Sequence, residues 1–234
     1  MNGMRIVLAV FLCWGESAAM AMDPHPVHET VRADYRLYYD GMPVGEVTEV
    51  WERDGSNYRI HSEAHPYPVV RWFAPNFRED SVGQIVDGGL QPSRFVHERS
   101  DGQAPLVADF HWNTGELILQ HDGKSDTVPL PPDAQDMLSI KYLYRVAGNG
   151  WLERDLPMVT GKHLETHHFV VHDRLPIDTD AGRFEVRHVV DVSAQAPSRL
   201  EIWLATDLRD PPVRLRVTER GSRWEQRLLR MEIQ

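Results

Sequence analysis

Cysteine is nearly missing from these 234 residues, and the one copy is Cys13. It lies in the apolar run Ile6–Trp14, which follows Arg5 and precedes the small-x-small triplet Ala19-Met20-Ala21. A positive start, an apolar middle and a small-residue end are the three regions of a secretory signal peptide. Residues 1–21 are therefore expected to be removed by cleavage after Ala21, with cleavage after Ala19 the alternative, leaving a periplasmic chain. A lipoprotein signal wants a small residue just before its cysteine, and Leu12 stands there instead. The mature chain then has no thiol. That excludes a disulfide framework, a thiolate nucleophile and any cysteine-containing metal site. No segment after the leader is apolar and long enough to cross a bilayer as a helix, so no integral membrane span is expected.

Basic charge is also short. Lysine and arginine number 25 against 35 aspartates and glutamates, a formal charge of −10. Nucleic-acid binding needs clustered cations to neutralise phosphates, so a nucleic-acid partner is not expected. The acidic excess is spread along the chain and reads as a solvated surface. Motifs of chemistry are missing too. There is no Walker loop, no Gly-x-Gly-x-x-Gly and no Gly-x-Ser-x-Gly elbow. Ser139 falls inside a predicted helix, where its hydroxyl is expected to bond to backbone. With 35 acidic residues, no carboxylate pair stands out as a glycosidase pair. No catalytic residue and no cofactor are assigned.

Histidine, by contrast, is abundant, at 12 residues. The densest group is His163-Leu-Glu165-Thr-His167-His168. On a strand His163, Glu165 and His167 share a face, and two imidazoles with a carboxylate can ligate zinc. The spacing is not the helical His-Glu-x-x-His pattern, and nothing marks a partner to orient the imidazoles. Surface histidines on an acidic strand are the favoured reading, with no metal site.

What fills the chain is alternation. Val31, Ala33, Tyr35, Leu37 and Tyr39 take one face of a strand, and Arg32, Asp34 and Arg36 the other. Asp40-Gly41 and Asp54-Gly55 are hairpin signals on either side of a second strand. Similar runs follow at about ten-residue intervals, through Phe184-x-Val186-x-His188-x-Val190 and on to Ile233. This is the rhythm of an antiparallel sandwich or barrel. The segment 66–77 holds three prolines and reads as an irregular loop. No low-complexity linker divides the chain, so residues 22–234 are expected to form a single antiparallel β domain.

One stretch breaks the pattern. After Pro131-Pro132, Asp133 reads as an N-cap, and Gly148 as the stop of a helix over about 133–147. Met137, Leu138, Ile140, Tyr142, Leu143, Tyr144 and Val146 leave only Lys141 and Arg145 as a polar stripe. A helix apolar around most of its circumference is normally enclosed by protein. Gln135 and Asp136 read as capping and turn-satisfying residues, with a ligand contact at the helix N-terminus the lesser alternative. The fold expected is mainly β, a strongly curved antiparallel sheet (open barrel or β-spiral) wrapped around this one central helix.

Several ordered phrases resemble a known family. They are Asp40-Gly-x-x-Val44-Gly45-Glu46, Asp87-Gly-Gly-Leu90-x-Pro92-x-Arg94-Phe95, Asp109-Phe-x-Trp112, Ala134-Gln135-Asp136-x-Leu138-Ser139, and Glu201-Ile-Trp203 followed by Pro212-Val-Arg214-Leu215. Together, from about Tyr35 to Ile233, they resemble the bacterial exported family called domain of unknown function 3108. That resemblance implies no reaction and no site residues. In architecture the chain also looks like the Lol-type lipoprotein-carrier fold, in which a curved sheet and helical segments enclose an apolar cavity. Fold alone does not carry function. The expectation drawn is a non-enzymatic cell-envelope protein holding a lipid or other apolar ligand, lined by Trp51, Trp112, Met137, Leu138, Tyr142 and Trp203. An interaction protein docking an envelope partner is the alternative, and a hydrolase comes third.

Overall fold

A computed structural model describes residues 28–70, 75–87, 89–147, 154–160, 162–193 and 198–234. The expected signal peptide with Cys13 and the helix stop at Gly148 lie outside the described residues. The first eight strands are β1 (His28–Tyr39), β2 (Met42–Asp54), β3 (Asn57–Pro66), β4 (Phe77–Val86), β5 (Gly89–Arg99), β6 (Leu106–His111), β7 (Glu116–His121) and β8 (Lys124–Pro129). A two-residue strand β9 (Gln135–Asp136) and the helix α1 (Ser139–Ala147) follow. The chain continues through β10 (Asp155–Thr160), β11 (His163–Thr179), β12 (Gly182–Asp191), β13 (Ser198–Ala205), β14 (Pro212–Glu219) and β15 (Ser222–Ile233).

All fifteen strands belong to one curved sheet in the order β8-β7-β6-β5-β4-β3-β2-β1-β15-β14-β13-β12-β11-β10-β9. Every neighbouring pair is antiparallel except β9–β10. Two meanders are thus joined where the first strand meets the last, and the sheet is not closed. At Asp40-Gly41 and Asp122-Gly123 both turn residues have positive φ. That is the twist a two-residue hairpin loop requires, and it explains why Asp-Gly marks these corners. Bulges near Leu37–Tyr38 and Val82–Gly83 break the β1–β2 and β4–β5 ladders and help bend the sheet.

The helix is enclosed as its pattern demanded. Residues 139–144 are all buried. Around them Val31, Trp51, Ile60, Phe95, Leu117, Leu156, Phe169 and Ile202 form one core, drawn from strands of both meanders. A second core, with Tyr35, Leu37, Val47, Val186, Val213 and Leu228, lies against the sheet beyond the helix.

The helix is shorter than its apolar run. Asp133 sits at φ +61° and turns the chain instead of capping it. Gln135 and Asp136 then pair in parallel with Met158 and Val159 of β10, which holds the backbone extended. The cap is Asp136: its Oδ1 accepts from the backbone N–H groups of Leu138 and Ser139, each at 2.8 Å. Ser139 Oγ in turn accepts from the Asp136 N–H at 2.8 Å. This reciprocal arrangement is a capping box with serine as the returning residue.

Candidate functional site

A cavity of about 320 Å³ opens between the two meanders beside the N-terminal end of α1. Its walls come from Leu37 of β1, Pro66 of β3, Phe77 of β4, Leu215 and Val217 of β14 and Trp224 of β15, with Met137 just before the helix. Alternation explains the placement. Leu37 and Leu215 both pair across from Gln226, so all three side chains share the inner face of the sheet. Polar groups interrupt the apolar wall at Lys141, Gln226, the pair Glu79–His97, Arg99 and the buried Glu225. His97 Nδ1 lies 3.0 Å from Glu79 Oε1, and the His97 ring stacks on Phe77.

Behind the cavity floor lies a buried ionic group. Lys141 Nζ donates to Glu49 Oε2 at 2.6 Å, with side chains 5% and 1% exposed. The Tyr142 hydroxyl donates to the other oxygen, Glu49 Oε1, at 3.1 Å. Burial, with the Glu49 carboxylate adding to it, holds the Tyr142 phenol protonated well above its ordinary range. The Tyr142 ring stacks on Trp51 at 5.0 Å, and Trp51 stacks on Tyr58 at 5.4 Å. Asp136 is wholly buried nearby and accepts from Ser81 Oγ at 2.6 Å. Burial pushes its carboxyl up to about 6, against the pull of the hydrogen bonds it accepts.

The six expected lining residues are distributed unevenly. Met137 lines the cavity. Leu138, Tyr142 and Trp51 are fully buried in the core around the helix. Trp112 lies in a separate depression with Tyr58 and Gln91. Its indole N–H donates to the Pro92 carbonyl at 2.6 Å. Trp203 is on the opposite face of β13 from Ile202 and Leu204, which pack into the core around the helix. There it stacks on His188 at 4.2 Å, with the guanidiniums of Arg214 and Arg216 over the ring at 4.8 and 5.0 Å.

The sequence reading passed over Glu49, the partner that makes a buried lysine tenable. Its signal was present: Val47, Glu49 and Trp51 occupy one inward-facing row of β2, and a carboxylate in such a row needs a buried cation. Gln135 behaves as expected of a residue that satisfies backbone, donating to the carbonyls of Leu90 and Asp133. His167 differs from the favoured surface reading. It is 1% exposed, with Nδ1 2.7 Å from Asp191 Oδ2. Ser193 Oγ donates to Asp191 Oδ1 and not to the imidazole, so this is not the order of a nucleophilic triad. Among the described residues no cluster of three or more His, Cys, Asp or Glu is arranged to hold a metal. No described helix is long and apolar enough to cross a membrane.

The family model described as "Protein of unknown function (DUF3108)" matches residues 34–221. No curated protein matches the chain in sequence. Among solved structures the chain is similar to a β-barrel-like protein of domain of unknown function DUF1849 from Brucella abortus. The two are 12% identical with a TM-score of 0.45, over 89% of this chain and 98% of that one.

Proposed function

The chain belongs to the DUF3108 family of proteins of unknown function, and from that premise we propose a non-enzymatic periplasmic binding protein that holds a lipid or other apolar ligand beside α1. The observation that carries the reading is the cavity at the N-terminal end of the helix. Apolar walls with a few polar groups on one side are the composition of a small-molecule site, and about 320 Å³ falls at the lower end of such pockets. In this reading Met137 touches the ligand directly. Leu138, Tyr142 and Trp51 form the rigid layer behind it, and Trp112 and Trp203 serve packing elsewhere. The leader-like segment at residues 1–21 supports the location.

Protein recovered from periplasm and examined by native mass spectrometry is expected to carry a bound apolar species released by solvent extraction. It is also expected to bind N-phenyl-1-naphthylamine, a neutral apolar dye, less tightly when Met137 is replaced by Lys. A clean apo mass together with no dye binding would end the proposal.

A further inference from the structure

Lys141 has more hydrogen-bonding capacity than the fold uses. An ammonium carries three N–H donors, and this one makes a single hydrogen bond among the described residues, to Glu49. Its side chain is 95% buried, yet the residue lines the cavity. Gln226 lines the same cavity from β15, and its carboxamide has no hydrogen-bond partner among the described residues. The site therefore offers unused donors from two sides.

Charge decides what can accept from them. Lys141 and Glu49 sum to zero, so a carboxylate or phosphate placed beside them would leave a net negative charge in an enclosed space. Among the described lining residues no other cation is left to compensate: Arg99 is bonded through Nε and Nη2 to Asp101, and the lining carboxylate Glu225 is already paired with Arg214, Arg216 and Arg227. A plain hydrocarbon would leave the donors dry and unpaired, which is also costly. A neutral carbonyl satisfies them without adding charge.

We infer that the cavity takes an acyl ester or amide, its carbonyl oxygen accepting from Lys141 Nζ and Gln226 Nε2 and its chain lying along Leu215, Val217 and Trp224. The inference rests on the ligand-binding reading above and specifies the ligand's chemistry.

Displacement of N-phenyl-1-naphthylamine from the mature protein tests it, with a methyl ester, the free acid and the alkane of one chain length as competitors. At about pH 8 the acid is ionised, and the ester is expected to displace dye at roughly tenfold lower concentration than acid or alkane, the worth of one good hydrogen bond. The double variant Lys141→Met/Glu49→Gln removes the ammonium donor and the charge together while leaving Gln226. It should still bind dye but lose most of the preference for ester over alkane. Gln226→Leu should lose part of that preference, and it keeps the question answerable if the double variant fails to fold. An acid that competes as well as the ester, or a preference unchanged in both variants, overturns the inference and leaves apolar binding standing. Failure of the unmodified protein to bind dye overturns both.

Discussion

Asp136 performs two tasks in conflict. As the cap of α1 it is best ionised, and as a fully buried group it is best neutral. Burial wins, and its carboxyl rises from 3.8 to about 6. A folded-state value above the unfolded one means that the folded protein binds the proton more tightly. The resulting stabilisation is complete below the unfolded value and is lost as pH rises through about 6. Between pH 7.5 and 5 the wild type should therefore gain about 1 to 1.5 kcal/mol relative to Asp136→Asn. Urea unfolding of both proteins across that range measures the gain, and a pH-independent difference would contradict it. Glu49 and Lys141 give a second expectation. Lys141→Met alone leaves a buried carboxylate unpaired and should cost about 3–5 kcal/mol, whereas adding Glu49→Gln should recover much of that loss. A double-mutant cycle by denaturation reads the coupling, and simple additivity would count against a buried ion pair. The pairing was only half visible beforehand, because β2 shows that Glu49 points inward but no local pattern says that residue 141 meets it.

Strands carry their own evidence in a way that the helix boundary does not. Alternation closed by corners such as Asp40-Gly41 and Arg220-Gly221 marks long strands such as β1 and β12, whereas the two residues of β9 are too few to show a period. The helix start was misplaced for a similar reason. Asp133 and Asp136 are both plausible caps in sequence, and only the pairing of β9 with β10 decides between them. Nine residues are also too few for a stable isolated helix, so α1 exists because the sheet encloses it. Gly83 shows how tightly the sheet itself is bent. A Cβ there would collide with the Gln91 carbonyl oxygen and lie 2.8 Å from both Pro92 Cα and Tyr58 Cε1. Two of these contacts are backbone and cannot swing aside. Gly83→Ala should therefore destabilise by about 2–4 kcal/mol, while Gly102→Ala, with nothing within 4 Å, pays only for its positive φ. Comparable thermal midpoints for the two variants would contradict the crowding argument.

At the scale of the whole molecule, what unites the two meanders is the pairing of β1 with β15, which no local signal announces. Thr30 and Gln234 exchange backbone hydrogen bonds at 2.9 Å in both directions, so the two ends of the described domain lie side by side. Joining residues 234 and 28 by a short Gly-Ser linker, and opening the chain in the exposed turn after Gly102, should leave a cooperatively folding protein. Loss of a cooperative unfolding transition would show that the order of synthesis matters to the fold. Away from the β1–β15 junction, Lys162 in the turn after β10 forms a side-chain ion pair with Asp122 in the turn after β7, next to the edge strand β8. Asp122 is exposed, and its carboxyl is held below the ordinary range mainly by the hydrogen bond from Lys162. Such a clasp answers to ionic strength, since exposed charges are screened over about 8 Å in physiological salt. The molecule thus has a ladder-bonded spine at β1–β15 and an electrolyte-sensitive clasp away from it. Amide exchange in β8 is the place where added salt would first be felt.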